Sequence, residues 1–446
     1  MSIKLKTLWV FFSAMLASSA AMAVDLVGVH DLALKSDPRL QAAEYRRQAT
    51  AENKTQAWAN MLPQLGAGAS WLKGSTETSF GAPELDDVSR NKDTRSYDIN
   101  LQQSLYRQAN YEQLDVARGQ ITQADAIYEI AFQDFLLRVS QGYFLVLTLI
   151  DGVTFAEAEE KALQRQFEQA EQRFEVGLTA VTDVHEARAS YDNARARAIV
   201  ARNDLADAKE ALKELTGKYF EEYDALQEVL PLVEPDPPNA EEWVQKALSN
   251  NPAVLSSRAA VEIADSNMRL ARSGHFPTLD LVAGYTDFRD NKRQFTTNLG
   301  QPIGTTTMDA DDTVIQLLFN VPIYQGGRVS SQTRQARLLM DATGQDLDDV
   351  QRAAVREAQN SFRAVLAGIQ EVQAFEQAEI SAESALEATQ AGFEVGTRTI
   401  VDVLIAEQRR FQAQRDNSVA RHAYIVRHLR LKSVAGMLSS EDLRVI

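Results

Sequence analysis

The sequence predicts a mainly α-helical protein with a small membrane β-barrel portion, built from one unit repeated twice along the chain. Three observations predict it. The prolines fall at 38, 63, 83, 231, 235, 237, 238, 252, 277, 302 and 322, which leaves residues 84–230 and 323–446 free of proline. A proline inside a helix costs roughly 3 kcal/mol, so two such tracts rich in Ala, Glu, Gln, Arg and Leu predict very long helices. Before each tract the apolar period changes from 3.6 to 2, the mark of a strand with one apolar face. Finally, landmarks recur at fixed spacing. Ala33-Leu34-Lys35-Ser36-Asp37-Pro38 matches Ala247-Leu248-Ser249-Asn250-Asn251-Pro252, and Phe174-Glu175-Val176-Gly177 matches Phe393-Glu394-Val395-Gly396.

The elements follow in order. Lys4 and Lys6 precede the apolar run Leu8 to Ala17, and Ala21-Met22-Ala23 offers small residues at a cleavage point, so residues 1–23 are expected to be a cleaved secretory signal. The first repeat, 24–235, is expected to hold a helix over 29–62, strands at about 65–72 and 96–106, a long helix over 107–176 and a helix over 181–216. The second repeat, 236–446, gives a helix over 240–274, strands at about 278–286 and 313–324, a long helix over 325–395 and a helix over 400–436. The acidic, proline-rich stretch 228–242 joins them. A helix of some 70 residues is about 105 Å long at 1.5 Å per residue. The two shorter helices of a repeat, end to end, match that length, so each repeat can form one continuous and one broken rod that pack as a coiled assembly. No segment is expected to span a membrane as a helix.

In the strands, Leu65, Ala67, Ala69 and Trp71 alternate with Gly66, Gly68 and Ser70, and Ile315, Leu317 and Phe319 line one face of the last strand. With long polar connections expected at 73–95 and 287–312, these runs suit lipid on one face and water on the other. Four strands are too few for a membrane barrel, which needs about eight or more and cannot leave an edge open in lipid. Closure therefore requires several chains.

Composition narrows the function. With 46 Lys and Arg against 62 Asp and Glu, the formal charge of -16 argues against a nucleic-acid partner. There is no cysteine, hence no disulfide, thiolate nucleophile or lipidated N-terminal thiol. His30, His185, His275, His422 and His428 are scattered without an i, i+4 pair, and no phosphate loop or Gly-x-Ser-x-Gly elbow occurs. No catalytic site, metal site or cofactor is expected, and energy for any transport must come from a partner.

Phe393-Glu394-Val395-Gly396-Thr397-Arg398-Thr399-Ile400-Val401-Asp402-Val403-Leu404 and its sister Phe174-Glu175-Val176-Gly177-Leu178-Thr179-Ala180-Val181-Thr182-Asp183-Val184 resemble the helix-tip turns of the TolC family of outer-membrane efflux and type I secretion channels. The resemblance extends over the chain beyond residue 23. It implies a homotrimer in outer-membrane lipid, whose twelve strands close one barrel continued by a periplasmic helical barrel. It also implies recruitment by a periplasmic adaptor and an inner-membrane ATP-driven or proton-driven transporter. By resemblance Asp402, with Ile405 and Val401, forms the aperture constriction. Arg398 matches the family's latch arginine, Asp183 and Thr182 its partners, and Phe393 stands where a latch tyrosine is familiar. Gly177, Leu178, Gly396 and Thr397 lie at the turns expected to meet the adaptor. Two departures weaken the polar closure: Phe393 has no hydroxyl, and Ile405 replaces a second acidic ring.

The residues also have plainer readings. Gly177 and Gly396 suit left-handed helix ends, and Asp183 and Asp402 suit the first turn of the next helix, where the dipole favours an anion. The expected function is a passive exit duct for exported polypeptides or small toxic compounds. A periplasmic coiled-coil adaptor or structural rod without a barrel is the alternative.

Overall fold

The computed structural model describes residues 23–78, 88–226, 230–296 and 302–444, so the proposed signal segment lies almost wholly outside the described residues. In chain order the elements are α1 (Leu26–Ser36), α2 (Pro38–Ala59), β1 (Gln64–Thr78), β2 (Val88–Arg107), α3 (Gln108–Glu175), α4 (Val181–Thr216), α5 (Ala240–Asn250), α6 (Pro252–Arg272), β3 (Thr278–Thr296), β4 (Pro302–Asn320), α7 (Arg328–Glu394) and α8 (Ile400–Val434). They fall into two compact units, one comprising the chain up to Gln41, Phe132–Ala247 and Glu357 onward, the other Ala42–Ala131 and Leu248–Arg356. Each unit draws on both sequence repeats, so the repeat boundary at 235–236 does not separate compact bodies. Instead β2 of the first repeat pairs with β3 of the second, and α4 of the first packs against α8 of the second.

The second unit carries the sheet. Its order is β1-β2-β3-β4, antiparallel throughout, so β1 and β4 are free edges. Leu65 faces Leu101, Ala67 faces Ile99 and Ala69 faces Tyr97, which places the odd-numbered residues of β1 and β2 on one apolar face. That face is bare: Leu65 is 74% exposed, Ile315 76% and Phe319 68%. On the opposite face the glycines of β1 make room. A Cβ at Gly66 or Gly68 would collide with the carboxamide of Asn100 or the carboxylate of Asp98, its cross-strand partner. The pattern Leu-Gly-Ala-Gly-Ala thus codes for apolar side chains outward and polar side chains laid flat across glycine inward.

The strands are longer than expected, and the connections 73–95 and 287–312 shrink to 79–87 and 297–301, outside the described residues. Apolar alternation marks only the part of a strand that meets lipid. Beyond it the strands are mostly polar, and the hydrogen-bond ladder continues through Lys73-Gly74-Ser75 and Asp309-Ala310-Asp311 without an apolar signal. At the other end β4 stops at Asn320, not 324, because Pro322 lacks a donor and Gly326 and Gly327 turn the chain at φ 62° and 77°. Below the sheet Arg107 pairs with Asp280 at 2.9 Å, and Arg269 of α6 pairs with Glu112 of α3 at 2.9 Å.

The other unit contains the larger core, with Phe135, Leu136, Val139, Val146, Leu163, Leu212, Leu429 and Leu431 almost fully buried. Within α3 an 18-residue window reaches a mean hydropathy of 1.4, enough in length and composition to cross a membrane, against expectation. Of that window 39% is buried, and α3 contributes Phe135, Leu136, Val139, Val146 and Leu163 to this core. The expected helix 29–62 is two helices, and so is 240–274. In each the residue before proline is driven to extended backbone (Asp37 ψ 112°, Asn251 ψ 122°) and its side chain caps the following helix.

Asp37 also illustrates a buried ion pair. Its carboxylate, 1% exposed, accepts from Arg39 N–H at 2.7 Å and meets Arg138 of α3 at 2.8 Å. Arg138→Leu leaves that charge buried without its cation, and a loss of about 3 kcal/mol is expected in denaturant unfolding. Asp37→Asn with Arg138→Leu should recover much of it.

Candidate functional site

The helix tips all lie in the core-rich unit, where α3 turns into α4 and α7 into α8. Both turns close by the same device. Gly177 (φ 75°) follows α3, with Leu178 N–H donating to Arg173 O at 2.8 Å and Gly177 N–H to Phe174 O at 2.9 Å. Gly396 (φ 77°) follows α7, with Thr397 N–H donating to Gly392 O at 2.9 Å and Gly396 N–H to Phe393 O at 3.1 Å. These paired bonds satisfy the last carbonyls of each helix and need a left-handed residue, which glycine supplies without strain. Leu178 and Val395 are left 70% and 76% exposed at the turns.

The two hairpins then diverge. In the second, Thr399 caps α8: Asp402 N–H donates to Thr399 Oγ1, while Asp402 Oδ2 accepts from the Thr399 N–H and hydroxyl, both at 2.9 Å. These hydrogen bonds, with Arg398 nearby, hold the Asp402 carboxyl below its usual range. Asp402 is therefore a capped anion, and a partly exposed one. In the first hairpin the residue in the place of Thr399 is Ala180, which cannot cap; the Asp183 carboxylate accepts the Thr179 hydroxyl instead.

Between the hairpins lies a small core. Ile400 and Leu404 of α8 are buried with Leu163 and Ala170 of α3 and Ala187 and Ala194 of α4, and Phe393 and Val401 pack against them. Val401 is thus partly committed to this core, while Ile405 is 42% exposed. The Phe393 ring sits under the Arg173 guanidinium, 4.8 Å from its centroid. Thr182 and Arg398 are exposed. The Arg398 stem folds back over Gly392, where a Cβ would lie 2.8 Å from Arg398 Cγ, and its guanidinium makes no ion pair among the described residues. Arg398 and Asp183 are not paired within the chain.

Deeper in the same unit Glu159, 1% exposed, bridges Arg197 of α4 at 2.6 Å and Arg415 of α8 at 3.0 Å, binding both hairpins to α3. Sequence reading missed Glu159, Arg173, Thr179 and Thr399. For three of them a signal was present where the repeats differ: Arg173 stands opposite Gly392, Thr179 opposite Arg398, and Ala180 opposite Thr399. Among the described residues no group of His, Asp and Glu could hold a metal ion.

A four-stranded sheet with one bare apolar face and, in the same chain, long helices that turn back as hairpins are the features of a membrane duct. Residues 29–218 and 243–437 match the model of the Outer membrane efflux protein family. The chain is 37% identical over 439 residues to Outer membrane protein TolC of Vibrio cholerae, covering 98% of this chain and 97% of that one. It is 29% identical to the Alkaline protease secretion protein AprF of Pseudomonas aeruginosa, covering 98% and 90%. The crystal structure of VceC, an outer membrane protein of Vibrio cholerae, superimposes with a TM-score of 0.74 at 20% identity, covering 92% of this chain and 96% of that one.

The chain belongs to the Outer membrane efflux protein family. It has the TolC-like fold and serves as an outer-membrane exit duct. The alternative of a periplasmic adaptor or rod is not favoured.

Proposed function

We propose that three copies of the chain close one twelve-stranded barrel and that their helices continue it as a passive duct, narrowed at the tips by a ring of three Asp402 side chains. The observation that carries this reading is the four-stranded sheet with two free edges and a bare apolar face. Unpaired N–H and C=O groups cannot remain in hydrocarbon, so β4 of one copy must pair with β1 of the next. The helix tips meet a periplasmic adaptor through the turns at Gly177, Leu178, Gly396 and Thr397, and the adaptor joins the duct to an inner-membrane transporter that supplies the energy. Exported polypeptides are the favoured cargo, since a relative covering nearly the whole chain is a protease secretion protein; small toxic compounds are the second.

At the aperture the Arg398 guanidinium, which makes no ion pair among the described residues, reaches Asp183 and Thr182 of the neighbouring copy. The Asp402 carboxylates are fixed by their caps and stay charged because hydrogen bonding lowers their pKa. Three fixed anions around a narrow mouth focus a negative potential that draws cations. In a planar bilayer the purified protein should conduct weakly and prefer cations. Asp402→Asn should reduce that preference and relieve block by multivalent cations, and Thr399 should still cap α8. Unchanged selectivity would place the filter elsewhere.

A further inference from the structure

We propose that Arg173 is a second gating residue, a clasp that holds the α7–α8 hairpin to the α3–α4 hairpin of the same chain through the face of Phe393. This rests on the reading of the tips as the aperture and adds to it a contact of a different kind. The latch inferred by resemblance is polar and joins neighbouring copies. The clasp is aromatic and lies within one chain.

Its geometry is specific. The Arg173 guanidinium stands 4.8 Å from the Phe393 ring centroid, within the range where a cation is attracted by the ring's negative face. The ring is half-buried, packed on the core formed by Leu163, Ala170, Ile400 and Leu404, with the cation over its face. A recess of about 10 Å³ beside the ring is lined by Gln166, Gln169, Arg173, Thr179 and Asp183. A cation in the last turn of α3 is also what the helix dipole favours. The dipole accounts for the charge but not for its placement over a ring of the other hairpin. That placement means that moving α7–α8 away from α3 must separate guanidinium and ring. Phe393, which lacks the hydroxyl of a polar latch, is therefore engaged through its π face.

The repeat explains why the clasp is one-sided. Phe174, the counterpart of Phe393, is 44% exposed, and the counterpart of Arg173 is Gly392, which has no side chain to offer. Only the second hairpin is clasped, so only it is restrained by this contact.

The test uses the full-length purified protein in planar bilayers, with heat-modifiable oligomer on gels as the measure of intact assembly. Arg173→Met keeps length and removes the cation; it should raise open probability by at least about fivefold, the factor to which ~1 kcal/mol from one partly exposed cation–π contact converts. Arg173→Lys should stay near the parent, because the cation remains. Phe393→Leu should open the channel as Arg173→Met does, and combining the two should add little, since both remove one contact. A merely structural role would lower oligomer stability in all variants and would not be rescued by lysine. Equal opening by Arg173→Met and Arg173→Lys, or full additivity with Phe393→Leu, overturns the clasp. If Arg173→Met is silent while Arg398→Ser and Asp402→Asn alter conduction, the clasp is wrong and the aperture reading survives. If all three are silent, the aperture lies elsewhere and both fall.

Discussion

Leu317→Arg and Leu101→Arg are each expected to abolish insertion into the outer membrane. Leu317 is 62% exposed on β4, between Ile315 and Phe319, and its ladder partner Leu281 is on the same apolar face. Leu101 of β2 sits between Leu65 and Ala283. A cation on the lipid face near mid-strand costs about 2–4 kcal/mol, and in a closed trimer the cost recurs in every copy. The total is comparable to the whole stability of many folded proteins, which lies near 5–15 kcal/mol. Gln102→Arg is the control, one residue along β2 and on the opposite, wet face. Membrane fractions after alkaline extraction report the outcome. Normal insertion of both leucine variants with failure of Gln102→Arg would reverse the assignment of faces.

Arg398→Ser is expected to give the larger change among the polar aperture substitutions. The proposed exposed pair between Arg398 and the neighbouring copy's Asp183 is expected to contribute roughly 0.2–1 kcal/mol, and threefold symmetry repeats it three times. Loss of all three raises open probability up to about a hundredfold by that arithmetic. Asp183 already accepts the Thr179 hydroxyl within its own chain, so it is held in place before any partner arrives. Asp183→Ala added to Arg398→Ser should therefore do less than its separate effect, because one contact cannot be lost twice. Thr179→Val should weaken the closed state by loosening Asp183, and only while Arg398 is present. Single-channel recordings of the parent, the single variants and the double variants decide between this and a closure made by packing of Val401 and Ile405.

Much of the helical architecture was legible because its signals are local. Proline positions separate the long helices, and Gly177 and Gly396 mark turns whose left-handed geometry the structure reproduces. The strands were legible only where lipid imposes alternation; the wet extensions through Asp309-Ala310-Asp311 carry no period that a sequence reader can see. Breaks at Asp37–Pro38 and Asn251–Pro252 were visible as motifs but not as interruptions of a helix. The polar residues proposed for the aperture were assigned through resemblance to a family and not through spacing. What escaped were contacts between elements distant in sequence. Arg173 meets Phe393 and Glu159 meets Arg415 across more than two hundred residues, and nothing local announces either pair.

The free edges of β1 and β4 lead to the central claim, that the chain closes a membrane barrel only with copies of itself. The most direct measurement is the mass and location of the protein purified from cells in mild detergent. An outer-membrane species of three chains, which falls to one chain on heating, is the expected result. A single-chain species released with the soluble periplasmic fraction would contradict it.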